Sequence, residues 1–438
     1  MKCFSCLIIT FRQFFIEHLF NFLPISSALN KRKIFNDPVY GFISIPSDLV
    51  FDLIQHPFFQ RLRRIRQLGM AELVYPGALH TRFHHALGAM HLMGQALSTL
   101  RSKGHLIWEA EWEAAHIAIL LHDVGHGPFS HVLEKTILND VHHEYLSLEI
   151  MKELNRQMDG QLEMAIQMFE GSYPRHFFHQ LISSQLDMDR MDYLNRDCFF
   201  TGVAEGAIGT ERIIKMLDVV DDQLVVESKG ILSIENFLNA RRLMYWQVYL
   251  HKTSICAETM LIQAIRRARE LARSGEAIFA PNDFGLFLRQ KITLQQFQEN
   301  PQYLHSFTKI DDYDVWGCLK VWAAHEDHVL SMICQHLLNR KLYKIQFSAV
   351  PFDQNQLQEI HEQLRQQGIS DSWHEYFLVM GESSNAAYVS SKEHILIKMK
   401  DGSVRDIADA SDLPTIKALS NIVRKYYVCW MKPLTLQS

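Results

Sequence analysis

Proline and glycine are scarce in this sequence: 12 and 20 among 438 residues exclude a collagen-like or linker-dominated chain. An excess of either charge is lacking too. A formal net charge of -5 offers no global attraction to nucleic acid or anionic lipid, so a polyanion would have to be met by a local basic cluster. The 7 cysteines are odd in number and scattered, which excludes a disulfide framework and points to a reducing compartment, the cytoplasm. Cys3 and Cys6 have CxxC spacing but no second pair, and coincidence explains them better than zinc or redox chemistry. Long apolar runs are also missing. Residues 4–29 come nearest, but Arg12, Glu17 and His18 interrupt them, so the expectation is an extra N-terminal helix and no membrane span.

What is present is a 47% hydrophobic, 21% charged composition, the balance of a folded, helix-rich chain. Histidine is abundant. Its 23 imidazoles must serve ligation, proton transfer or core hydrogen bonds, and their positions decide which.

The turn-rich stretch Asn36-Asp37-Pro38-Val39-Tyr40-Gly41, followed by alternating apolar residues through Ile45, opens the main domain. From Ser47 to about residue 275 helical spacing dominates. The exception is Gln223 to Ile234, which reads as a small hairpin turning at Lys229-Gly230. Beyond Pro281, Tyr343, Ile345 and Phe347 alternate with polar residues, as do Ile395, Ile397 and Met399 ahead of an Asp401-Gly402 turn. Between them Gln354 to Gln367 reads as a polar amphipathic helix stopped by Gly368 and laid on a small sheet. The fold class expected is mainly α: an extension at 1–32, a helical domain at 33–275 and a smaller α+β region at 276–438.

Three segments carry chemistry. Ala114, Ile117, Ala118 and Leu121 recur at helical spacing, which sets His122 and Asp123 at the end of a buried helix just before Gly125 breaks it. A buried carboxylate there requires a cation or a complete hydrogen-bond network; for an isolated His-Asp pair, mutual pairing at a helix end is the economical alternative. Upstream, Phe83, Leu87, Met90, Gly94 and Leu97 form an apolar stripe, with His84, His91 and Gln95 on a polar side. His85 instead projects with Ala89, Leu92 and Ala96, so its imidazole is buried and needs a partner, whether as a ligand or as a satisfied core histidine. Downstream, Asp189, Asp192, Tyr193 and Arg196 share one helix face. Asp192 and Arg196 make an ion pair at i, i+4, which leaves Asp189 as the acid in need of a cation. Two imidazoles and two carboxylates suit an octahedral divalent ion such as Mn, Fe or Mg better than a closed tetrahedral zinc site.

The order His85, His122-Asp123, Asp189 resembles the motif that names the HD superfamily. The stretches FNDPVYG (35–41), FFQRLRRIRQLG (58–69), YPGALHTRFHHALG (75–88), LHDVGHGPFSH (121–131), HHE (142–144) and DRMDYLNRD (189–197) resemble its deoxynucleoside triphosphate triphosphohydrolase branch. That branch includes bacterial dGTPases and the mammalian SAM-and-HD-domain enzyme. The likeness covers roughly residues 33–270 and is loose beyond 280.

This resemblance implies an HD-domain helical core around one divalent ion held by His85, His122, Asp123 and Asp189. It implies hydrolysis of a dNTP to deoxynucleoside and tripolyphosphate, with metal-activated water attacking the α-phosphate and additional Mg accompanying the nucleotide. His131 and His143 match residues beside the scissile phosphate, one of them protonating the departing 5′ oxygen, with Glu144 as orienting partner. Arg82, His126, Arg190, Tyr193 and Arg241 match triphosphate-contacting positions, Gln67 and Asp197 positions that sense the 3′ hydroxyl, and Tyr249 one beside sugar and base. The plainer readings are that Arg82 pairs with a surface acid and that Arg241 and Tyr249 are ordinary residues of a long helix. The resemblance further implies a homodimer or homotetramer with a nucleotide activator between subunits, near the basic run Arg61, Arg63, Arg64, Arg66; that run is equally a candidate solvated face. Two departures stand out: no SAM domain is expected, the 32 residues ahead of the main domain being too short for one, and Gln55 occupies the place of an acid with which the mammalian enzyme chooses guanine, which argues against GTP-specific activation. Other HD nucleotidase or phosphodiesterase activity, or a catalytically silent nucleotide- or nucleic-acid-binding protein, are the alternatives.

Overall fold

The computed structural model describes residues 33–129, 131–138, 141–385, 388, 394–419 and 423–432. The N-terminal extension, with Cys3, Cys6 and the expected helix, lies outside them, as does the side chain of His131.

The chain opens on an antiparallel hairpin, Ile34–Asp37 with Gly41–Ser44. Its turn forms because Asp37 Oδ1 accepts from the amides of Val39 and Tyr40 at 2.9 and 3.0 Å. Helices then dominate. Arg82–Ser102 is the central one, flanked by Glu109–Leu121 and Met188–Thr201. Gly88 makes the second contact possible, because a Cβ there would stand 2.0 Å from Asp192 Oδ1 and 2.2 Å from Arg196 Nη2. Gly125 does the same for the loop after His122: a Cβ would meet the Ser147 amide at 2.2 Å, so only glycine lets this loop press on the start of His143–Gln157.

The hairpin expected at Lys229-Gly230 is displaced. Its strands are Leu217–Val220 and Gln223–Glu227, turning at Asp221 and Asp222, whose φ values are 49° and 60°. Acids tolerate that left-handed geometry; Gly230 instead precedes the helix Ile231–Met244. The C-terminal region contributes to the same sheet: Leu396–Lys398 pairs parallel to Gln223–Glu227 and antiparallel to Val404–Asp406 across the Asp401-Gly402 turn. A second antiparallel sheet places Val423–Trp430 between Lys344–Ser348 and Leu378–Asn385. The helix Gln354–Gln366 covers it through Ile360, which packs with Val428 and Trp430.

One continuous apolar cluster runs from Ile43 to Met431, so the helical part and the C-terminal part share a core. The arginine run is a solvated face only in part: Arg63 and Arg64 are exposed, whereas Arg61 is buried. Arg61 is 0% exposed and donates to the carbonyls of Phe307, Ile310, Val124 and His126 at 3.2, 3.1, 2.9 and 2.8 Å. Arg64 pairs with Asp311 and Arg66 with Glu72, while Arg63 lies 3.6 Å above the ring of Phe83. Four nearby carbonyl acceptors make burial of Arg61 tolerable, which a run of like charges does not disclose. Among the described residues no helix is long and apolar enough to cross a membrane.

Candidate metal centre and adjoining pocket

His85 sits one turn into Arg82–Ser102, His122 caps the end of Glu109–Leu121, and Asp189 lies in the first turn of Met188–Thr201. Their donor atoms converge. His85 Nε2 is 3.3 Å from His122 Nε2 and 3.1 Å from Asp189 Oδ1, and His122 Nε2 is 3.5 Å from that same oxygen. Ligand atoms of an octahedral ion with bonds near 2.1 Å are about 3 Å apart, so the spacing fits.

The outer bonds fix the imidazoles. His122 Nδ1 faces the Ile119 carbonyl at 2.6 Å and His85 Nδ1 the Asp192 carboxylate at 2.7 Å; both partners only accept, so both Nδ1 atoms carry hydrogen. As neutral rings, the two histidines therefore aim Nε2 lone pairs at each other and at a carboxylate. Lone pairs crowded this way call for a cation. In a metal-free chain the demand appears as a proton: burial lowers the His85 pKa, but the hydrogen bonds that its ring donates to Asp189 and Asp192 outweigh it and hold it up at about 10. Burial likewise opposes ionisation of Asp189, and the two imidazoles overcome it and keep its carboxyl well below the usual range.

Asp123 stands at the edge of this group. Its Oδ1 is 3.4 Å from His122 Nε2 and its Oδ2 3.7 Å from His85 Nε2, while Arg82 pairs with Oδ2. Arg82 is thus buried against the centre rather than paired with a surface acid. A second group adjoins it: His126 Nε2 is 3.4 Å from Asp123 Oδ1, and the His126 ring stacks on His143 with centroids 3.7 Å apart. Burial and the Arg82 charge keep His126 neutral, with its pKa well below 6.5. The carboxylate that holds His143 Nδ1 is Glu134, at 2.7 Å, whereas Glu144 is exposed in the first helical turn. This replaces the pairing expected of Glu144: an acid following His131 in a short helix reaches His143 from the opposite side, a contact between segments that spacing alone hides.

A cavity of about 330 Å³ adjoins the centre at Arg82, the partner of Asp123, and is bordered also by Tyr193, Gln67, Asp197 and Tyr249. Tyr249 donates to Asp197 Oδ2 at 2.8 Å, and His80 Nε2 meets Oδ1 at 2.7 Å. Tyr245 to Tyr249 form a π-helical turn that presents Tyr249 edge-on to Tyr193, ring centroids 5.8 Å apart. Arg190 is tied to Asp187, and Arg241 donates to Gln185 at 2.9 Å. Glu134, His80, Gln185 and Tyr245 went unnoticed in the sequence, and Asp192, read there as the partner of Arg196, which it is, also holds the His85 ring. Only for Asp192 was there a usable signal: a buried imidazole needs an acceptor, and this acid lies on the facing helix.

Fold and site together define a helical hydrolase class built around a buried His/Asp cluster. The model described as HD domain matches residues 82–197, and the HD associated region matches 208–300. A phosphohydrolase of Bacteroides thetaiotaomicron has a solved structure with 52% sequence identity and a TM-score of 0.89, covering 92% of this chain and 100% of that one. The YwfO protein of Bacillus subtilis is 34% identical over 375 residues, 83% of this chain and 82% of its own. Human deoxynucleoside triphosphate triphosphohydrolase SAMHD1 is 29% identical over 280 residues, 54% of this chain and 44% of the enzyme. The chain belongs to the HD-domain phosphohydrolase family.

Proposed function

We propose that the protein hydrolyses deoxynucleoside triphosphates to deoxynucleoside and tripolyphosphate. The observation that carries this reading is the cavity bordered by Arg82, which pairs with Asp123 of the His/Asp cluster, by Tyr193 and by the Asp197–Tyr249 pair. It offers a charged end for phosphate and a polar, aromatic wall for sugar and base.

His85, His122, Asp189 and Asp123 would hold a divalent ion, Mn, Fe, Mg or similar. When bound, that ion lowers the pKa of water and neutralises charge on the phosphate. The chain's own groups do the rest. Arg82, Arg190 and Arg241 present guanidinium forks to the triphosphate, whose own Mg accompanies it, and Tyr193 closes that end. Asp197 and Gln67 accept and donate to the 3′ hydroxyl, and Tyr249 limits the space beside sugar and base. His126 and His143 line the leaving-group side, where His143, oriented by Glu134, delivers a proton to the 5′ oxygen; His131, whose side chain lies outside the described residues, is the other candidate donor. Glu144 serves only as a more distant acid.

A regulatory nucleotide between subunits of a homodimer or homotetramer belongs to the same reading. The exposed Arg63 and Arg64 of the arginine run are the residues that would meet it; a cavity of about 410 Å³ bordered by Lys252, Arg340, Lys344 and Lys432, but by none of that run, is a second place for a polyanion. The five cysteines among the described residues that form no disulfide support a cytoplasmic setting.

The test is a panel of four dNTPs with Mn or Mg, scored by product. Deoxynucleoside and tripolyphosphate are expected. Release of orthophosphate would move the protein among the HD nucleotidases, and a metal-loaded protein without turnover would make it a binding protein.

A further inference from the structure

Resting on the hydrolysis reading above, we propose that Asp312 is a positioning residue for that reaction, a clamp that fastens the loop carrying His126 to the segment that leads into Arg82 and His85. Its two carboxylate oxygens serve two different parts of the chain. Oδ1 accepts from the Phe129 amide at 3.2 Å and Oδ2 from the Arg66 amide at 2.9 Å. Asp312 itself is 3% exposed and stands in the first turn of Asp312–Trp322, remote in sequence from both.

Phe129 shows why a fastening is needed. Its φ is 50°, a left-handed conformation that a bulky side chain adopts only under constraint. One helix supplies that constraint twice: Asp312 takes the amide, and Trp316, one turn on, meets the ring edge-on with centroids 5.9 Å apart. The Phe129 carbonyl then accepts from the Val132 amide at 3.1 Å, at the start of His131–Thr136. That helix carries His131 and Glu134, the acid that orients His143.

The other oxygen holds a second border of the cavity. Arg66 bridges Thr81 in an antiparallel contact, with the Gln67 amide on the His80 carbonyl at 3.1 Å and the Arg82 amide on the Ile65 carbonyl at 2.9 Å. Gln67, Arg82 and Phe129 all border the cavity, and Arg82 pairs with Asp123. One carboxylate thereby sets the spacing between the leaving-group side of the site and its phosphate side, a distance on which rate depends steeply.

The clamp depends on charge. An ionised carboxylate accepts at both oxygens, whereas its acid form carries a proton at one of them and accepts less well there. Arg66 and Arg61 face the group and favour its charge, and Asp311 opposes it. Burial outweighs the two amides and the arginines and pushes the Asp312 pKa up to about 7. As pH falls below that value the group takes up its proton, and the two segments are held less firmly.

The experiment measures kcat and KM for dNTP hydrolysis between about pH 6 and 9 in the parent, Asp312→Asn and Asp311→Asn. The last weakens the neighbouring helix cap, whose Oδ1 accepts from the Tyr313 amide at 3.0 Å. Asp312→Asn keeps the size but sets an NH2 against one amide; kcat should fall about a hundredfold, with KM within about threefold of the parent. The ratio of parent to Asp312→Asn should be largest above about pH 7 and shrink below it, where the parent's own clamp is loosened. Asp311→Asn should lower the melting midpoint while kcat stays within about threefold. The proposal is overturned by an Asp312→Asn kcat within about threefold of the parent, by an equal loss in Asp311→Asn, or by a ratio that does not change with pH. Amide hydrogen exchange around Phe129 reads the clamp without turnover, and Asp312→Asn should quicken it about tenfold or more. If the parent hydrolyses no dNTP, the hydrolysis reading fails and exchange alone judges the clamp: faster exchange in Asp312→Asn supports it, and unchanged exchange overturns it.

Discussion

The carboxylate of Asp192 joins two groups that the fold must hold at once: its Oδ2 is 2.7 Å from His85 Nδ1, and Arg196 donates to its two oxygens at 2.9 and 3.0 Å. Arg196 is anchored in turn by Asp37 of the opening hairpin at 2.8 Å. The orientation of the His85 ring therefore depends on an acid one helix away, brought close by the absence of a side chain at Gly88. Asp192→Asn keeps the shape but weakens the acceptor that fixes the tautomer. Divalent-ion affinity should fall about ten- to a hundredfold, as for other carboxylates behind a ligating histidine. Competition with a metal indicator measures it, and unchanged affinity in a folded variant counts against this arrangement.

Arg61 predicts a loss of stability rather than of chemistry. Its guanidinium bridges the carbonyls of Val124 and His126 in the loop after the His-Asp pair to those of Phe307 and Ile310. Arg61→Leu takes this donor from all four carbonyls; that of Phe307 keeps the Ile310 amide at 3.2 Å, and each of the other three costs about 1–3 kcal/mol where water cannot reach it. A loss of at least about 3 kcal/mol in urea unfolding is expected. A variant within about 1 kcal/mol of the parent would show that the bridge is dispensable.

A pH effect comes from a histidine remote from the ion. His116 is 4% exposed, with Nδ1 donating to the Trp112 carbonyl at 2.7 Å. Burial brings its pKa from 6.5 down to about 4. Because the folded pKa is the lower one, the unfolded chain takes up a proton first as pH falls. The stability held above pH 6.5 is lost progressively down to about pH 4, by about 3 kcal/mol at ~1.4 kcal/mol per unit. His116→Gln should remove that part of the slope between pH 6.5 and 4 in denaturant titrations. An equally steep slope in the variant would assign the effect elsewhere.

How far the sequence discloses this molecule depends on the range of each interaction. Helical periodicity places His85 on a buried flank and His122 at a helix end because both depend on neighbours within a turn or two. The strands around Ile345 and Ile397, and the helix ended by Gly368, are legible for the same reason. The turn at Asp221 and Asp222 was missed because glycine at 230 is the stronger turn signal, yet two acids take the left-handed positions. The parallel pairing of Val225 with Leu396 could not be read, since nothing local encodes a partner so distant. The same limit hid Glu134 behind Glu144, and hid the four carbonyls that turn Arg61 from a surface charge into a buried strut.

Removing the ion tests the centre as a physical object, independently of turnover. With the metal gone, the nitrogens of His85 and His122 remain 3.3 Å apart beside Asp189, and only protonation relieves the crowding. Chelator-treated protein at pH 8 should therefore melt at a lower temperature than protein supplied with Mn. An ion that binds only the folded chain stabilises it by about 4 kcal/mol at a thousandfold excess over its Kd, which raises the melting midpoint by several degrees. Adding Mn should restore the midpoint in the parent but leave it unmoved in Asp189→Ala, where one corner of the donor triangle is gone. A parent protein whose midpoint ignores both chelator and Mn would remove the reason for these imidazoles and carboxylates to converge.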